Sequence, residues 1–153
     1  MTSSRNWIVR AEGAREGGTA LPILPGQAVR HDLMNLSVTV DGTILLVRLD
    51  GELDLNTAPQ FRTVVEETLG RSPHLLHLVL DLTGVSFVDS SGLGAILGRY
   101  RHFAGQGGRV LVVGLQPSVR RLFELSGLFR VMEAAATYEE AKARLKGGEA
   151  VDC

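Results

Sequence analysis

Val85-Ser86-Phe87-Val88-Asp89-Ser90-Ser91-Gly92-Leu93-Gly94 joins two different hydrophobic periods, and the fold follows from reading that junction. A strand ends before Ser90 and a helix opens there. Its apolar stripe is Leu93, Ile96, Leu97, Tyr100 and Phe103, at helical spacing. Gln106-Gly107-Gly108 closes the helix. Upstream, the short apolar run Leu75 to Leu80 reads as a strand buried on both faces, the kind found inside a parallel or mixed sheet. Downstream, Arg109 to Val113 reads as another. Pro117 then starts a helix carrying Val119, Leu122, Phe123 and Leu125, which Gly127 stops. Phe129 to Met132 is expected as a last short strand. Thr137 with Glu140 forms a capping box for a final helix through Leu145, ended by Gly147-Gly148.

Working back toward the N-terminus, Leu36, Val38 and Val40 alternate with Ser37 and Thr39, the period of a half-buried strand. Asp41-Gly42 is a hairpin turn, and Ile44 to Leu49 is its antiparallel partner. Asn56 or Thr57 can cap the next helix, with Pro59 in its first turn and Phe61, Val64, Val65 and Leu69 on its inner face. Gly70 is expected to end it. Strands alternating with helices define an α/β domain, a mixed sheet of about four to five strands packed against about four helices. The domain is expected over residues 33–147, with a C-terminal tail at 148–153. Residues 1–32 carry Gly13, Gly17, Gly18, Gly26, Pro22 and Pro25 and read as a flexible N-terminal extension, with Trp7 as a candidate anchor.

The chain has 153 residues, 44% hydrophobic and 22% charged, an ordinary globular composition for one domain. A net charge of −1 supplies no basic excess for a phosphate backbone, so no direct nucleic-acid partner is expected. The single cysteine, Cys153, allows no intrachain disulfide and no cysteine-based zinc site. No apolar run approaches the roughly 18 residues of a membrane span, and the N-terminus lacks the apolar core of a secretory signal. The expectation is a soluble cytoplasmic protein with no membrane partner.

Chemistry concentrates at Asp89 to Gly98. Ser90 and Ser91 lie at a helix start, where orphan N–H groups and the positive end of the helix dipole favour a phosphate, whether on a ligand or on a serine itself. Equally, one serine can serve only as an N-cap. Gly94 and Gly98 sit inside the helix, each costing roughly 1 kcal/mol relative to alanine. At about 100° per residue they share a flank with Ser91, turned away from the apolar stripe. Either a close-packed neighbour or a docking partner keeps that flank bare.

Other chemistries lack their signatures. Gly-x-Ser-x-Gly is absent, and His31, His74, His77 and His102 have no motif around them, so a hydrolase with Ser90 as nucleophile lacks a base. No phosphate-binding P-loop appears, and Gly92-x-Gly94 is followed by Leu97 where a dinucleotide fingerprint needs glycine. No acidic and histidine cluster has metal-ligand spacing. No catalytic residue, metal or cofactor is expected. A nucleotide or small-ligand sensor using the same helix start remains the alternative to a regulatory binding protein.

Gly51-Glu52-Leu53-Asp54, Thr57-Ala58 and Phe87-Val88-Asp89-Ser90-Ser91-Gly92-Leu93-Gly94 together resemble the STAS domain, and more narrowly the bacterial anti-sigma factor antagonists. Gly98-Arg99-Tyr100, Gly107-Gly108, Val119-Arg120-Arg121-Leu122-Phe123 and Ser126-Gly127-Leu128-Phe129 continue the likeness, over roughly residues 36–146. The resemblance implies a switch in transcription regulation. An anti-sigma factor that is also a serine kinase binds the unphosphorylated antagonist and frees its sigma factor. It phosphorylates the serine after the aspartate, here Ser90, and the complex separates. A metal-dependent serine phosphatase resets the cycle. Asp54 corresponds to the family's first-loop aspartate. With Asp89, Ser91, Gly92, Gly94 and Gly98 it makes the implied partner-binding surface. The residues alone do not separate Ser90 from Ser91, and the long N-terminal segment departs from the family's short start.

Overall fold

The computed structural model describes residues 4–10 as backbone and residues 34–151, with side chains for 34–147. Its centre is a hairpin of β2 (Asn35–Asp41) and β3 (Ile44–Leu53). Asp41 faces Ile44 across the turn, and Gly42 takes the positive φ of 63° that this turn demands. From β3 the chain alternates strictly. Helix α1 (Ala58–Arg71) leads to β4 (His77–Val88), α2 (Ser90–Gly105) to β5 (Val110–Val113), and α3 (Pro117–Ser126) to β6 (Glu133–Ala135). Helix α4 (Tyr138–Val151) comes last. The strand order is sequential: β1 (Ser4–Arg10), β2 and β3 pair antiparallel, and β3 to β6 pair parallel.

Sequential parallel strands joined by right-handed crossovers send every crossover helix to one face. Accordingly Phe61 and Val65 of α1, Ile96 and Phe103 of α2, and Val119 and Phe123 of α3 share one core with Leu45, Val47, Leu78, Leu80, Val110 and Val112. The alternate residues of the same strands, Ile44, Leu46, Val79, Leu111 and Val113, face the other way. There they meet Ala141 and Leu145 of α4. Alternation by two along each strand therefore builds both layers.

Several expectations need correction. The β3 strand runs to Leu53 rather than Leu49, and β4 runs from His77 to Val88 rather than over Leu75 to Leu80. The two stay paired through register shifts at Arg48/Asp50 and Gly51/Glu52, which hide the extension from a period-two reading. Phe129 to Met132 is not a strand: Leu128–Arg130 is a 3-10 turn that buries Leu128, and pairing with β5 starts only at Glu133. Leu125 is 74% exposed instead of joining the inner face of α3. Helix α1 passes Gly70 and ends at Arg71, and α4 passes Gly147-Gly148 to Val151, so the expected tail is largely helical. Finally, Ser4–Arg10 of the expected flexible extension pairs along β2. An edge strand presents unpaired backbone groups, and Trp7, Ile8 and Val9 are strand-forming residues that can close it. Trp7's side chain lies outside the described residues.

The Thr137 half of the expected capping box is present, while the Glu140 carboxylate reaches one residue further back, to Ala136 rather than to Thr137 N–H. Glu140 N–H donates to Thr137 Oγ1 at 3.1 Å, while Glu140 Oε1 accepts from Ala136 N–H at 3.0 Å. Helix α4 is further tied to the hairpin turn. Asp41 accepts from Tyr138 Oη and from Lys142 Nζ, each at 2.8 Å. Burial works against ionisation of Asp41, but these bonds outweigh it and hold its carboxyl below the ordinary range. Asp81 behaves alike: burial opposes ionisation, and bonds from Thr83 and Arg48 win. A carboxylate depressed in the folded state stabilises above the unfolded value of about 3.9, and loses that contribution as pH falls through the folded value. Chemical denaturation should therefore show stability declining below about pH 4, with a shallower decline in Asp41→Asn. Tyr138→Phe should cost roughly 1.5–3 kcal/mol at neutral pH, the range for a hydrogen bond to a charged group.

Candidate functional site

The parallel strands β3 and β4 end side by side at Leu53 and Val88. The segments leaving these two strand ends make the site. After β4, Asp89 turns extended (φ −103°, ψ −172°) and caps α2, its Oδ1 accepting from Gly92 N–H at 2.9 Å. The cap is thus the aspartate and not a serine, which corrects the reading of Ser90 or Ser91 as a cap. Among the described residues neither serine hydroxyl is engaged in a hydrogen bond. Ser90 is exposed and Ser91 half-buried. Exposure therefore distinguishes two serines that chemistry alone does not.

After β3, the loop at Asp54–Thr57 is pinned at each backbone N–H. Asp54 N–H donates to Thr57 Oγ1 at 2.9 Å, and Leu55 N–H to Asp89 Oδ2 at 3.2 Å. Asn56 N–H donates to Asp54 Oδ1 at 2.9 Å, and Thr57 N–H to the same oxygen at 3.2 Å. Thr57 is fully buried, and its hydroxyl donates to the Glu52 carbonyl at 2.7 Å. Asp54 is therefore the organiser of its own loop. Asp89 links that loop to the start of α2 through its two oxygens. The structure brings Asp54, Asp89, Ser90, Ser91 and Gly92 together at the carboxyl ends of β3 and β4, where ligand and partner sites of α/β sheets collect.

The glycines divide into two kinds. A Cβ on Gly92 would stand 2.3 Å from the Leu53 carbonyl oxygen and 2.9 Å from Val88 Cγ1, so close packing of α2 on β3 requires glycine. A Cβ on Gly94 or Gly98 would meet nothing within 4 Å among the described residues. No described neighbour within the chain accounts for their bare flank.

Nothing among the described residues of this site resembles a catalytic triad. Both Asp89 oxygens are taken by backbone N–H groups, and no histidine bonds Ser90. His77 is buried at the far end of β4, its Nδ1 accepting from Arg109 N–H at 3.0 Å. His31 lies outside the described residues. No group of histidine, cysteine, aspartate and glutamate among the described residues could hold a metal ion. No described helix is long and apolar enough to cross a membrane. Read from the sequence, Thr57 stands out only as a cap candidate and as part of the Thr57-Ala58 likeness, and Leu55 does not stand out. The Asp-x-x-Thr spacing is the one signal that could have marked the pinned loop.

Comparison with known proteins gives this geometry its family. A model of the STAS domain matches residues 35–141, and the chain belongs to that family. An anti-sigma F factor antagonist of Paenibacillus polymyxa is 43% identical over 101 residues, 65% of this chain and 86% of that protein. One from Lysinibacillus sphaericus is 35% identical over 103 residues, 67% of this chain and 86% of that protein. The unphosphorylated anti-sigma factor antagonist SpoIIAA superposes with a TM-score of 0.62 at 34% identity, covering 71% of this chain and 92% of that one. The phosphorylated form, described as a Bacillus cell fate determinant, gives 0.55 at 33% identity, covering 69% and 93%.

The glycines yield a direct check on stability. Gly92→Ala should lose about 1–3 kcal/mol, the usual cost of overpacking. Gly94→Ala and Gly98→Ala should each gain about 0.5–1 kcal/mol, because the helix prefers alanine and the space is open. Urea denaturation of the three variants reads both signs.

Proposed function

We propose that this protein is an anti-sigma factor antagonist controlled by phosphorylation of Ser90. The unphosphorylated chain binds an anti-sigma factor that is also a serine kinase, and the sigma factor is freed. The kinase phosphorylates Ser90 and the complex separates, until a serine phosphatase restores the hydroxyl. The chain itself acts as a cytoplasmic binding switch; the catalysis belongs to its partners. Asp54, Asp89, Ser91, Gly92, Gly94 and Gly98 contribute the docking surface of its STAS domain.

One observation carries this reading above the others. Ser90 presents an exposed, unengaged hydroxyl on the first turn of α2, next to a helix flank where Gly94 and Gly98 leave open space. A kinase needs an accessible hydroxyl, and a partner whose backbone lies on the helix needs the bare flank. The likeness to relatives named anti-sigma factor antagonists supports the same assignment.

The switch needs no refolding. A phosphate adds about −1.5 to −2 charge beside the Asp89 and Asp54 carboxylates. Burying that charge against a partner carries a large desolvation cost. Weakening a complex a hundredfold takes only about 2.8 kcal/mol, within reach of one misplaced phosphate.

Incubation with the anti-sigma factor kinase of the source organism and ATP should place phosphate on Ser90 by peptide mass spectrometry. It should disappear in Ser90→Ala and coincide with release of the kinase. Phosphate on another residue, or release without phosphate, contradicts the proposal. Gly94→Gln and Gly98→Gln should keep the fold yet bind the kinase at least about tenfold more weakly, a loss of about 1.4 kcal/mol.

A further inference from the structure

We infer that Leu55 is the apolar anchor of the docking surface, seated in an apolar, basic-rimmed pocket on the anti-sigma factor. This rests on the function proposed above and assigns a specificity-determining residue within it. The side chain of Leu55 is 69% exposed. Exposure of a single leucine is ordinary, and Leu125 is exposed to 74% without any such setting. What separates Leu55 is its mounting.

The four consecutive N–H groups from Asp54 to Thr57 are all hydrogen-bonded, to Thr57 Oγ1, Asp89 Oδ2 and Asp54 Oδ1. Thr57 in turn is buried and anchored on the Glu52 carbonyl. The loop has therefore given up its backbone freedom before any partner arrives, yet its leucine points out of the core. Ordering a loop on binding is costly, and a rigid loop avoids that cost. A large apolar side chain held out on a rigid backbone is the form that interface anchors take.

The same set of bonds ties the anchor to the switch. Leu55 N–H is held by Asp89, the residue immediately before Ser90. An interface centred on Ser90 therefore reaches Leu55 across one carboxylate. The surroundings state the chemistry of the occupant. Glu52 and Asp54 precede the leucine and Asp89 holds its N–H, and none of these carboxylates forms a salt bridge among the described residues. A partner that seats Leu55 must then offer lysine or arginine around an apolar pocket. Those cations are matched by the carboxylates already present, so a phosphate on Ser90 brings charge for which the interface holds no counter-ion.

The test is calorimetric titration of the purified anti-sigma factor kinase, with ADP bound, into four proteins: wild type, Leu55→Ala, Leu55→Met and Leu125→Ala. Thermal melts accompany each. Leu55→Ala should bind at least about tenfold more weakly, with an unchanged melting temperature; Leu55→Met and Leu125→Ala should stay within about threefold of wild type. Wild-type affinity should also fall as salt rises. Equal affinity of Leu55→Ala and wild type, while the wild type still leaves the kinase on Ser90 phosphorylation, overturns the anchor and spares the proposed function. Failure of the wild type to bind the kinase at all overturns the function itself. If Leu55→Ala loses only self-association in sedimentation, the leucine belongs to an interface between two copies, and the inference fails.

Discussion

The carboxylate of Asp89 joins the start of α2 to the loop that follows β3. One oxygen caps α2 through Gly92 N–H, and the other holds Leu55 N–H in the loop after β3. A cap alone contributes about 1 kcal/mol to a helix. Here the same group also fixes the loop, so its loss would free a surface as well as a helix end. The approach is close because Gly92 lets α2 settle against the Leu53 carbonyl, and Asp89 N–H donates to that same carbonyl at 3.2 Å. Ser90 is thereby presented at one position beside the loop.

The sheet makes this convergence possible. Three crossovers in one direction put α1, α2 and α3 on one face, and parallel pairing of β3 with β4 brings their carboxyl ends together. The opposite face is closed by α4, whose Tyr138 and Lys142 reach Asp41 at the other end of the β2–β3 hairpin. The bonds that hold α4 thus lie beside the start of β3, and the proposed switch lies beyond its end. Modification of Ser90 can change what the surface binds without passing through the bonds at Asp41.

Much of this was legible in the residues. The Asp41-Gly42 turn, the helix opening after Asp89 and the Thr137–Glu140 box are local signals, and local hydrogen bonding settles them. The lengths of β3 and β4 were not legible. Their later halves contain Asp50, Gly51, Thr83 and Gly84 and are held by pairing through a shifted register, which no single-strand pattern contains. Residues 129–132 misled because an apolar run of that length fits a buried turn as well as a strand. At the site, the motif left the cap to a serine, whereas Asp89 takes it. Serine and aspartate are equal candidates by type, and only the backbone shows which stands at the extended position. Leu55 was invisible, since its meaning lies in a bond to Asp89, 34 positions away in the chain.

The most direct measurement is a map of amide hydrogen exchange in this protein, free and bound to the anti-sigma factor kinase with ADP. New protection is expected at residues 54–57 and along 90–98, and none on α4. Phosphorylation of Ser90 should abolish it. Protection centred on α4, or protection at 90–98 that survives phosphorylation of Ser90, would contradict the proposed switch.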